Sequence, residues 1–170
     1  MTSHSLFVLG GARSGKSGYA QARAERLPGR KIFVATAEAH DEEMRARIAR
    51  HRAERDTRWT TVDAPRDLAE AIDARSGTGA VVLVDCLTLW TSNLMLADAD
   101  MDAARHRLRD CINRFDGHLL FVANEVGLGI VPDNALARRF RDEAGRLNQL
   151  VAAIASEVVL LAAGIPVKLK

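Results

Sequence analysis

The chain has 170 residues, of which 48% are hydrophobic and 27% charged, and its formal net charge at pH 7 is +2. This length and composition indicate one globular domain spanning residues 1–170, and the nearly balanced charge argues against a nucleic-acid partner. No apolar stretch is long enough for a membrane span and the start lacks a signal-peptide pattern, so we expect a cytoplasmic protein whose two cysteines, Cys86 and Cys111, are reduced structural thiols.

Strand-like and helix-like segments alternate along the chain. Short apolar runs predict five strands, and a sixth, edge strand could follow the last turn: Leu6–Leu9, Lys31–Thr36, Ala80–Asp85, His118–Ala123, Glu157–Leu161 and Ile165–Leu169. Helical periodicity predicts five helices: Lys16–Arg26, Asp41–Arg55, Arg66–Ala74, Asp102–Phe115 and Asn134–Ser156. Several strands are apolar on both faces, as in a parallel sheet covered by helices on each side. The pattern predicts a doubly wound α/β fold.

A phosphate-binding loop lies between the first strand and the first helix. The sequence there is Gly-x-x-x-x-Gly-Lys-Ser, and strand-to-helix context makes this pattern specific for nucleotide phosphates. The backbone N–H groups of such a loop surround the anion, the lysine reaches the β- and γ-phosphates, and the serine hydroxyl binds Mg²⁺. These positions are Gly10, Gly11, Ala12, Arg13, Ser14, Gly15, Lys16 and Ser17. We therefore expect a P-loop NTPase-like fold.

Two acidic residues follow buried strands. Asp85 ends the run Val81–Val84, which is the usual context of the carboxylate that shares Mg²⁺ with the loop serine. Glu125 follows the run that ends at Ala123, and is the alternative candidate for this role. Because ligands of open α/β sheets gather at the carboxyl ends of strands, Glu125 could instead bind substrate or position a nucleophile.

The helix predicted over residues 41–55 is rich in arginine and carries His51. Met44 and Ile48 define its expected buried stripe, with His51 near the edge of that stripe. One interpretation is a solvated basic face with an incidental histidine. The other is that the surrounding positive charge lowers the pKa of His51, which keeps its imidazole neutral and nucleophilic while the arginines bind phosphate.

Several segments together resemble the bifunctional adenosylcobinamide kinase and adenosylcobinamide-phosphate guanylyltransferase family of cobalamin biosynthesis. The resemblance covers nearly the whole chain. It is carried by Gly10–Ser17, Ala35–Ala37, Asp41–Met44, Arg47–Ile48, His51–Arg52, Trp59, Asp85–Thr88, Asn93–Leu94, Asn124–Pro132 and Phe140–Gln149.

The resemblance implies two reactions. In the first, the hydroxyl of adenosylcobinamide takes the γ-phosphoryl group of ATP or GTP. In the second, a histidine matching His51 displaces pyrophosphate from GTP, and the resulting GMP-histidine passes GMP to the corrinoid phosphate. The product is adenosylcobinamide-GDP. The resemblance also implies a homo-oligomer, with a trimer as the expected form.

The resemblance also implies which residues bind nucleotide. Beyond the phosphate loop these are Ala35, Thr36, Ala37, Arg52, Ala53, Glu54, Arg55, Asp63 and Asp85. Arg50 stands where the family often has a second histidine, so an auxiliary role for that histidine does not transfer. Asp63 stands where the family can have Glu, and its shorter side chain changes the reach of that carboxylate.

Two other functions fit parts of the sequence. A P-loop kinase for another small metabolite would use Lys16 and Asp85 but would have no use for His51. A GTP-dependent switch should contain an Asn-Lys-x-Asp motif that reads guanine, and the sequence has none.

Overall fold

The computed structural model describes residues 4–39, 42–53 and 56–170. Strands and helices alternate along these residues, as the sequence predicts. In chain order the elements are β1 His4–Gly10, α1 Lys16–Glu25, β2 Arg30–Ala35, α2 Glu42–Ala53, β3 Trp59–Asp63, α3 Leu68–Asp73, β4 Ala80–Asp85, α4 Leu87–Leu96, α5 Met101–Arg114, β5 His118–Asn124, α6 Ala135–Ile154, β6 Glu157–Ala162 and β7 Ile165–Lys168.

The strands form one seven-stranded sheet in the order β3-β2-β4-β5-β1-β6-β7. Neighbouring strands are parallel except for the edge strand β7, which pairs antiparallel with β6. The predicted α/β class and the predicted last edge strand are therefore confirmed. Since β5 lies between β1 and β4, the residues that follow β5 lie between the phosphate loop and Asp85 at the carboxyl edge of the sheet.

Alternate side chains of the central strands enter two separate hydrophobic layers. In β1, Phe7 and Leu9 pack in the layer that contains α3 to α6, whereas Leu6 and Val8 pack in the layer that contains α1. This two-sided burial explains why these strands are continuous apolar runs and do not alternate with polar residues. Within the described part of the chain, no helix has the length and apolar character needed to cross a membrane.

The sequence did not predict β3 or α4. The strand β3 contains three consecutive β-branched residues, Thr60–Val62, which favour extended structure but form a run too short to stand out. The helix α4 has no amphipathic pattern because most of its residues are buried, polar ones included. A helix that is buried all round lacks the polar face by which sequence periodicity detects helices.

The helix α2 is present but is not packed as the sequence predicts. Met44 and Ile48, the expected buried stripe, are only half-buried, and none of the α2 side chains that the structure describes is buried. The prediction that Met44 and Ile48 are buried is therefore wrong. Its predicted ends at Asp41, Glu54 and Arg55 lie outside the described residues.

A bidentate ion pair joins α1 to the start of β6. Arg23 donates from Nη1 to Glu157 Oε1 (2.9 Å) and from Nη2 to Glu157 Oε2 (2.6 Å), and both side chains are largely buried. These hydrogen bonds, opposed by burial, hold the pKa of Glu157 below its ordinary value. A carboxyl group with a depressed pKa stabilises the fold above its ordinary pKa, and this contribution disappears as pH falls through the depressed value.

We expect Glu157→Gln to lower the free energy of unfolding by about 2 kcal/mol at pH 7, because it removes the charge that Arg23 binds at both oxygens. The difference should shrink as pH falls below about 4.3, where the carboxyl of the unfolded wild type begins to take up a proton while the folded one stays ionised. Urea unfolding of both proteins from pH 7 to pH 3 measures this. An equal loss at every pH would show that the pair stabilises through packing alone.

Candidate active site

The phosphate loop, residues 10–17, has the strand-loop-helix geometry expected from its sequence. It leaves the end of β1 at Gly10 and enters α1 at Lys16, with Gly15 as the N-cap at φ 90° and Arg13 at φ 55°. The left-handed conformation of Gly15 is one that glycine adopts without strain. The loop backbone turns tightly, with a hydrogen bond from Ser14 N to Gly11 O (3.3 Å).

Gly10 is required by close packing at the root of the loop. A Cβ atom added to Gly10 would lie 2.3 Å from Ser14 Oγ and 2.9 Å from the Leu161 carbonyl oxygen. Leu161 belongs to β6, so the neighbouring strand backbone leaves no space for a side chain. The first glycine of the motif therefore allows the loop to fold back against the sheet.

The turn between β6 and β7 supports the phosphate loop from one side. Gly164 N donates to the Ser14 carbonyl at 2.9 Å, and a Cβ on Gly15 would contact Gly164 Cα at 3.5 Å. Ser14 is buried, and its hydroxyl has no hydrogen-bond partner among the described residues. Sequence reasoning noted the final turn but gave no sign that it meets the loop, because the contact joins residues 150 positions apart.

Lys16 and Ser17 occupy the first two positions of α1. Lys16 Nζ donates to the Gly11 carbonyl at 3.0 Å, which folds the ammonium group back over the loop. Both side chains are half-buried. A lysine held over a ring of backbone amides at a helix start can bind phosphate oxygens.

The strand registers place the other predicted residues along the carboxyl edge. Gly10 is level with Asn124 of β5, and Asp85 of β4 is level with both Val122 of β5 and Ala35 of β2. With neighbouring strands about 4.8 Å apart, Asp85 lies two strands, or about 10 Å, from β1 across the sheet. The Asp85 carboxylate is half-buried, and β5 is the single strand between β4, which carries it, and β1, which leads into the phosphate loop.

Asp63 is much farther from the phosphate loop. It ends β3, level with Ala35, and it is exposed. The edge strand β3 lies four strands from β1, a separation of about 19 Å across the sheet. Asp63 and the loop therefore cannot bind the same phosphate group.

Thr36 joins the ends of β2 and β4. Its hydroxyl donates to the Cys86 carbonyl (2.7 Å) and accepts from Cys86 N (2.8 Å), and its own carbonyl accepts from the Asn93 amide (2.7 Å). Thr36 is fully buried, so its side chain is committed to this contact. The neighbouring Ala35 and Ala37 are half-buried beside it.

Further polar contacts fix α4 across the carboxyl edge. Asn93 also donates to the Pro65 carbonyl (2.9 Å), and Thr88 Oγ1 accepts from Asn124 N (2.7 Å). The Asn148 amide of α6 reaches the Asn124 carbonyl at 3.3 Å. These side chains fall in the segments on which the resemblance rests, and they hold the strand ends in place. Sequence reasoning assigned them no structural role, because their partners are backbone groups distant in the chain.

Both cysteines are free and buried, as predicted. Burial, followed by the charge of Asp85, raises the pKa of Cys86 to about 11, and its sulfur caps α4 by accepting from Leu89 N at 3.4 Å. The peptide bond between Asp85 and Cys86 is cis. Burial also raises the pKa of Cys111 to about 12. Neither thiol is a nucleophile near neutral pH.

The structure places His51 in α2 without describing its side chain. Ala53 ends the helix, the Arg52 side chain is also not described, and Glu54 and Arg55 lie outside the described residues. Since α2 connects β2 to β3, it belongs to the part of the sheet that lies three to four strands from β1. The electrostatic setting predicted for His51 remains a prediction.

A loop of exposed apolar residues follows Glu125. Leu128 is 88% exposed, Ile130 is 97% exposed and Val131 also faces outward, as does Leu136 at the start of α6. The loop begins beside the phosphate loop, where Glu125 N donates to the Gly10 carbonyl at 3.1 Å. Contiguous exposed apolar side chains commonly mark surfaces that bind another molecule.

Magnesium ligands are available at this edge. Mg²⁺ is commonly held by one or two protein oxygens together with substrate phosphates, and Ser17 and Asp85 provide a hydroxyl and a carboxylate there. Among residues 4–39, 42–53 and 56–170, no group of three or more histidine, cysteine or acidic side chains is arranged to bind a metal without such phosphates.

We expect Thr36→Val to reduce the free energy of unfolding by about 2 kcal/mol, because it leaves the buried Cys86 N–H without its hydrogen-bond acceptor. Thr36→Ser keeps the hydroxyl and should recover most of the loss. Urea denaturation of the three proteins provides the comparison. If the serine variant were as unstable as the valine variant, the threonine methyl group would be the stabilising feature.

Comparison with known proteins identifies the family of this chain. The profile of the family described as "Cobinamide kinase / cobinamide phosphate guanyltransferase" matches residues 6–169. The Pseudomonas aeruginosa "Bifunctional adenosylcobalamin biosynthesis protein CobP" is 44% identical over 96% of this chain and 95% of its own length. The Escherichia coli "Bifunctional adenosylcobalamin biosynthesis protein CobU" is 41% identical over 97% of this chain and 99% of its own.

Solved structures show the same fold at low sequence identity. A type III secretion system ATPase of pathogenic bacteria superposes with a TM-score of 0.57 at 12% identity, over 94% of this chain and 51% of its own. The assembled ATPase EscN of enteropathogenic E. coli gives a TM-score of 0.59 at 10% identity, over 94% of this chain and 43% of its own. The chain thus spans about half the length of these ATPases, and the likeness concerns the fold alone. By the family match and its similarity to full-length relatives, the chain belongs to the cobinamide kinase and cobinamide phosphate guanyltransferase family.

Proposed function

We propose that this protein catalyses two successive transfers to a corrinoid. It phosphorylates adenosylcobinamide with ATP or GTP, and then transfers GMP from GTP to the new phosphate to form adenosylcobinamide-GDP. The observation that carries the proposal is a phosphate loop of the expected geometry in a chain that matches this family from residue 6 to residue 169.

The kinase step uses the phosphate loop. The backbone amides of residues 10–17 and the Lys16 ammonium bind the triphosphate, and Ser17 and Asp85 hold Mg²⁺, which neutralises phosphate charge when bound. Phosphoryl transfer needs mainly positioning and charge stabilisation, and these groups supply both without a covalent intermediate.

The guanylyl step uses His51 as the nucleophile. The imidazole attacks the α-phosphorus of GTP, pyrophosphate leaves, and the corrinoid phosphate then displaces the histidine from the GMP-histidine intermediate. A covalent intermediate divides the transfer into two displacements. The bulky corrinoid phosphate then attacks the GMP-histidine and does not have to attack GTP directly. In this proposal Arg52, Ala53, Glu54, Arg55 and Asp63 contact the nucleotide.

The two steps require different arrangements of protein and nucleotide. The segment that carries His51 is anchored at β2 and β3, about 14 to 19 Å across the sheet from β1. We infer that α2 moves relative to the phosphate loop, so that one bound triphosphate exposes its γ-phosphorus in one state and its α-phosphorus in the other. The absence of buried side chains in the described part of α2 is consistent with such movement.

The remaining expectations are part of the same proposal. The partners are the corrinoid substrates, and the small net charge of +2 argues against nucleic acid. We propose a cytoplasmic homo-oligomer, with a trimer as the expected form.

Incubation with GTP labelled at the α-phosphate tests the proposal. The protein should acquire one acid-labile, alkali-stable label, as expected of a phosphoramidate on histidine, and His51→Ala should acquire none. His51→Ala should still phosphorylate adenosylcobinamide, because the kinase step does not use the imidazole.

Lys16→Ala provides the complementary control. We expect its kinase kcat to fall by about 100-fold or more, since a positioned cation at the transferring phosphate contributes on that order. A wild-type protein that phosphorylates a small metabolite but never acquires label would instead be a simple P-loop kinase.

A further inference from the structure

We propose that Glu125 is the catalytic residue that orients and deprotonates the acceptor hydroxyl in the kinase step. This inference rests on the proposed function and assigns a role to a carboxylate that the two-step scheme leaves unused. It follows from the strand order, which places Glu125 between the phosphate loop and Asp85.

The position of Glu125 is fixed by the sheet. Asn124 is level with Gly10, and the next residue, Glu125, donates its N–H to the Gly10 carbonyl at 3.1 Å. The backbone of Glu125 is therefore hydrogen-bonded to the first residue of the phosphate loop. Asp85 lies on the opposite side of β5, so Glu125 lies between the proposed triphosphate site and the proposed magnesium ligand.

The side chain of Glu125 is held in place and retains capacity to accept a proton. Its Oε1 accepts a hydrogen bond from Gly127 N at 2.6 Å, which leaves Oε2 available to a substrate hydroxyl. Among the residues whose side chains are described, no lysine, arginine or histidine lies within ion-pair distance of this half-buried carboxylate.

The absence of a side chain at Gly127 leaves space for the Glu125 carboxylate. A Cβ atom on residue 127 would lie 2.9 Å from Glu125 Oε1, closer than side-chain carbons normally approach. Because the opposing atom is the end of a flexible side chain, an alanine at 127 would displace the carboxylate without disturbing the sheet. Glycine at this position therefore keeps the carboxylate on the backbone amide.

The proposed step transfers one proton and one phosphoryl group. The acceptor oxygen forms a bond to the γ-phosphorus, and the bond from that phosphorus to the β,γ-bridging oxygen breaks. Its electron pair leaves with the nucleoside diphosphate, and the hydroxyl proton passes to Glu125 and then to solvent. An acidic side chain accepts the substrate hydroxyl proton in the same way in protein kinases.

The acceptor approaches from the side of the loop that follows Glu125. The strongly exposed Leu128 and Ile130 extend from this loop, continuous with the carboxylate and the phosphate loop. A large, partly apolar acceptor such as a corrinoid can pack against these two side chains while its hydroxyl reaches Glu125.

Three variants test the inference: Glu125→Gln, Gly127→Ala and the control Asp133→Asn, which alters an exposed carboxylate at the other end of the same loop. We expect Glu125→Gln to lower the kinase kcat by about 100-fold or more, as for loss of a general base. Its KM for ATP should stay within about threefold of wild type, and its labelling by α-phosphate-labelled GTP should persist. Gly127→Ala should lower kcat by about tenfold, with Asp133→Asn unchanged.

Separate measurement of the two activities distinguishes a catalytic residue from a structural residue. Loss of the proton acceptor should lower kinase activity and leave GMP labelling intact, whereas a folding defect should lower both. A Glu125→Gln variant with kinase kcat within threefold of wild type would overturn the inference, as would one that lost kinase activity and GMP labelling together. Failure of the wild type to phosphorylate adenosylcobinamide would instead refute the proposed function itself.

Discussion

The parallel pairing of β5 with β1 is the constraint on which the rest of the candidate site depends. Because Gly10 is level with Asn124, the phosphate loop and the end of β5 emerge from the sheet at the same height and in hydrogen-bonding contact. The insertion of β5 between β1 and β4 also sets how far Asp85 stands from the loop. Thr88 of α4 and Asn148 of α6 form hydrogen bonds with the backbone of Asn124, and these bonds hold the end of β5 in place.

The same sheet order separates the phosphate loop from the helix that carries His51. The triphosphate loop belongs to β1, near one side of the sheet, whereas His51 lies in the connection between β2 and β3 at the other. In the proposed mechanism, α2 therefore moves relative to the phosphate loop between the two steps. The half-buried or exposed state of the described α2 side chains, and the hydrogen bonds that hold the phosphate loop, are compatible with this movement.

Local sequence patterns predicted the features that depend on neighbouring residues. The loop from Gly10 to Ser17 was recognisable because its chemistry needs glycine, lysine and serine at fixed spacing between a strand and a helix. The central strands were recognisable because burial on both faces makes them continuously apolar. The same burial concealed α4, since a helix without a polar face has no amphipathic period.

Features that depend on contacts between distant residues could not be read from the sequence. The clamp between Thr36 and Cys86, the support of Ser14 by Gly164 and the contact of Glu125 with Gly10 all join segments brought together only by the strand order. The role of Glu125 stays open in the sequence, because the sequence does not reveal which strand separates the phosphate loop from Asp85. The apolar spacing of Met44 and Ile48 predicted burial, but both are only half-buried. Such a spacing does not reveal whether another part of the protein covers that face of the helix.

The central proposal is that this protein is both a corrinoid kinase and a corrinoid-phosphate guanylyltransferase. Its most direct test is to supply the purified protein with adenosylcobinamide, ATP and GTP, and to identify the corrinoid products by mass over time. The claim predicts a phosphorylated corrinoid that appears first and is then converted to a GDP-linked corrinoid. Accumulation of the phosphorylated corrinoid alone, with GTP still present, would contradict it.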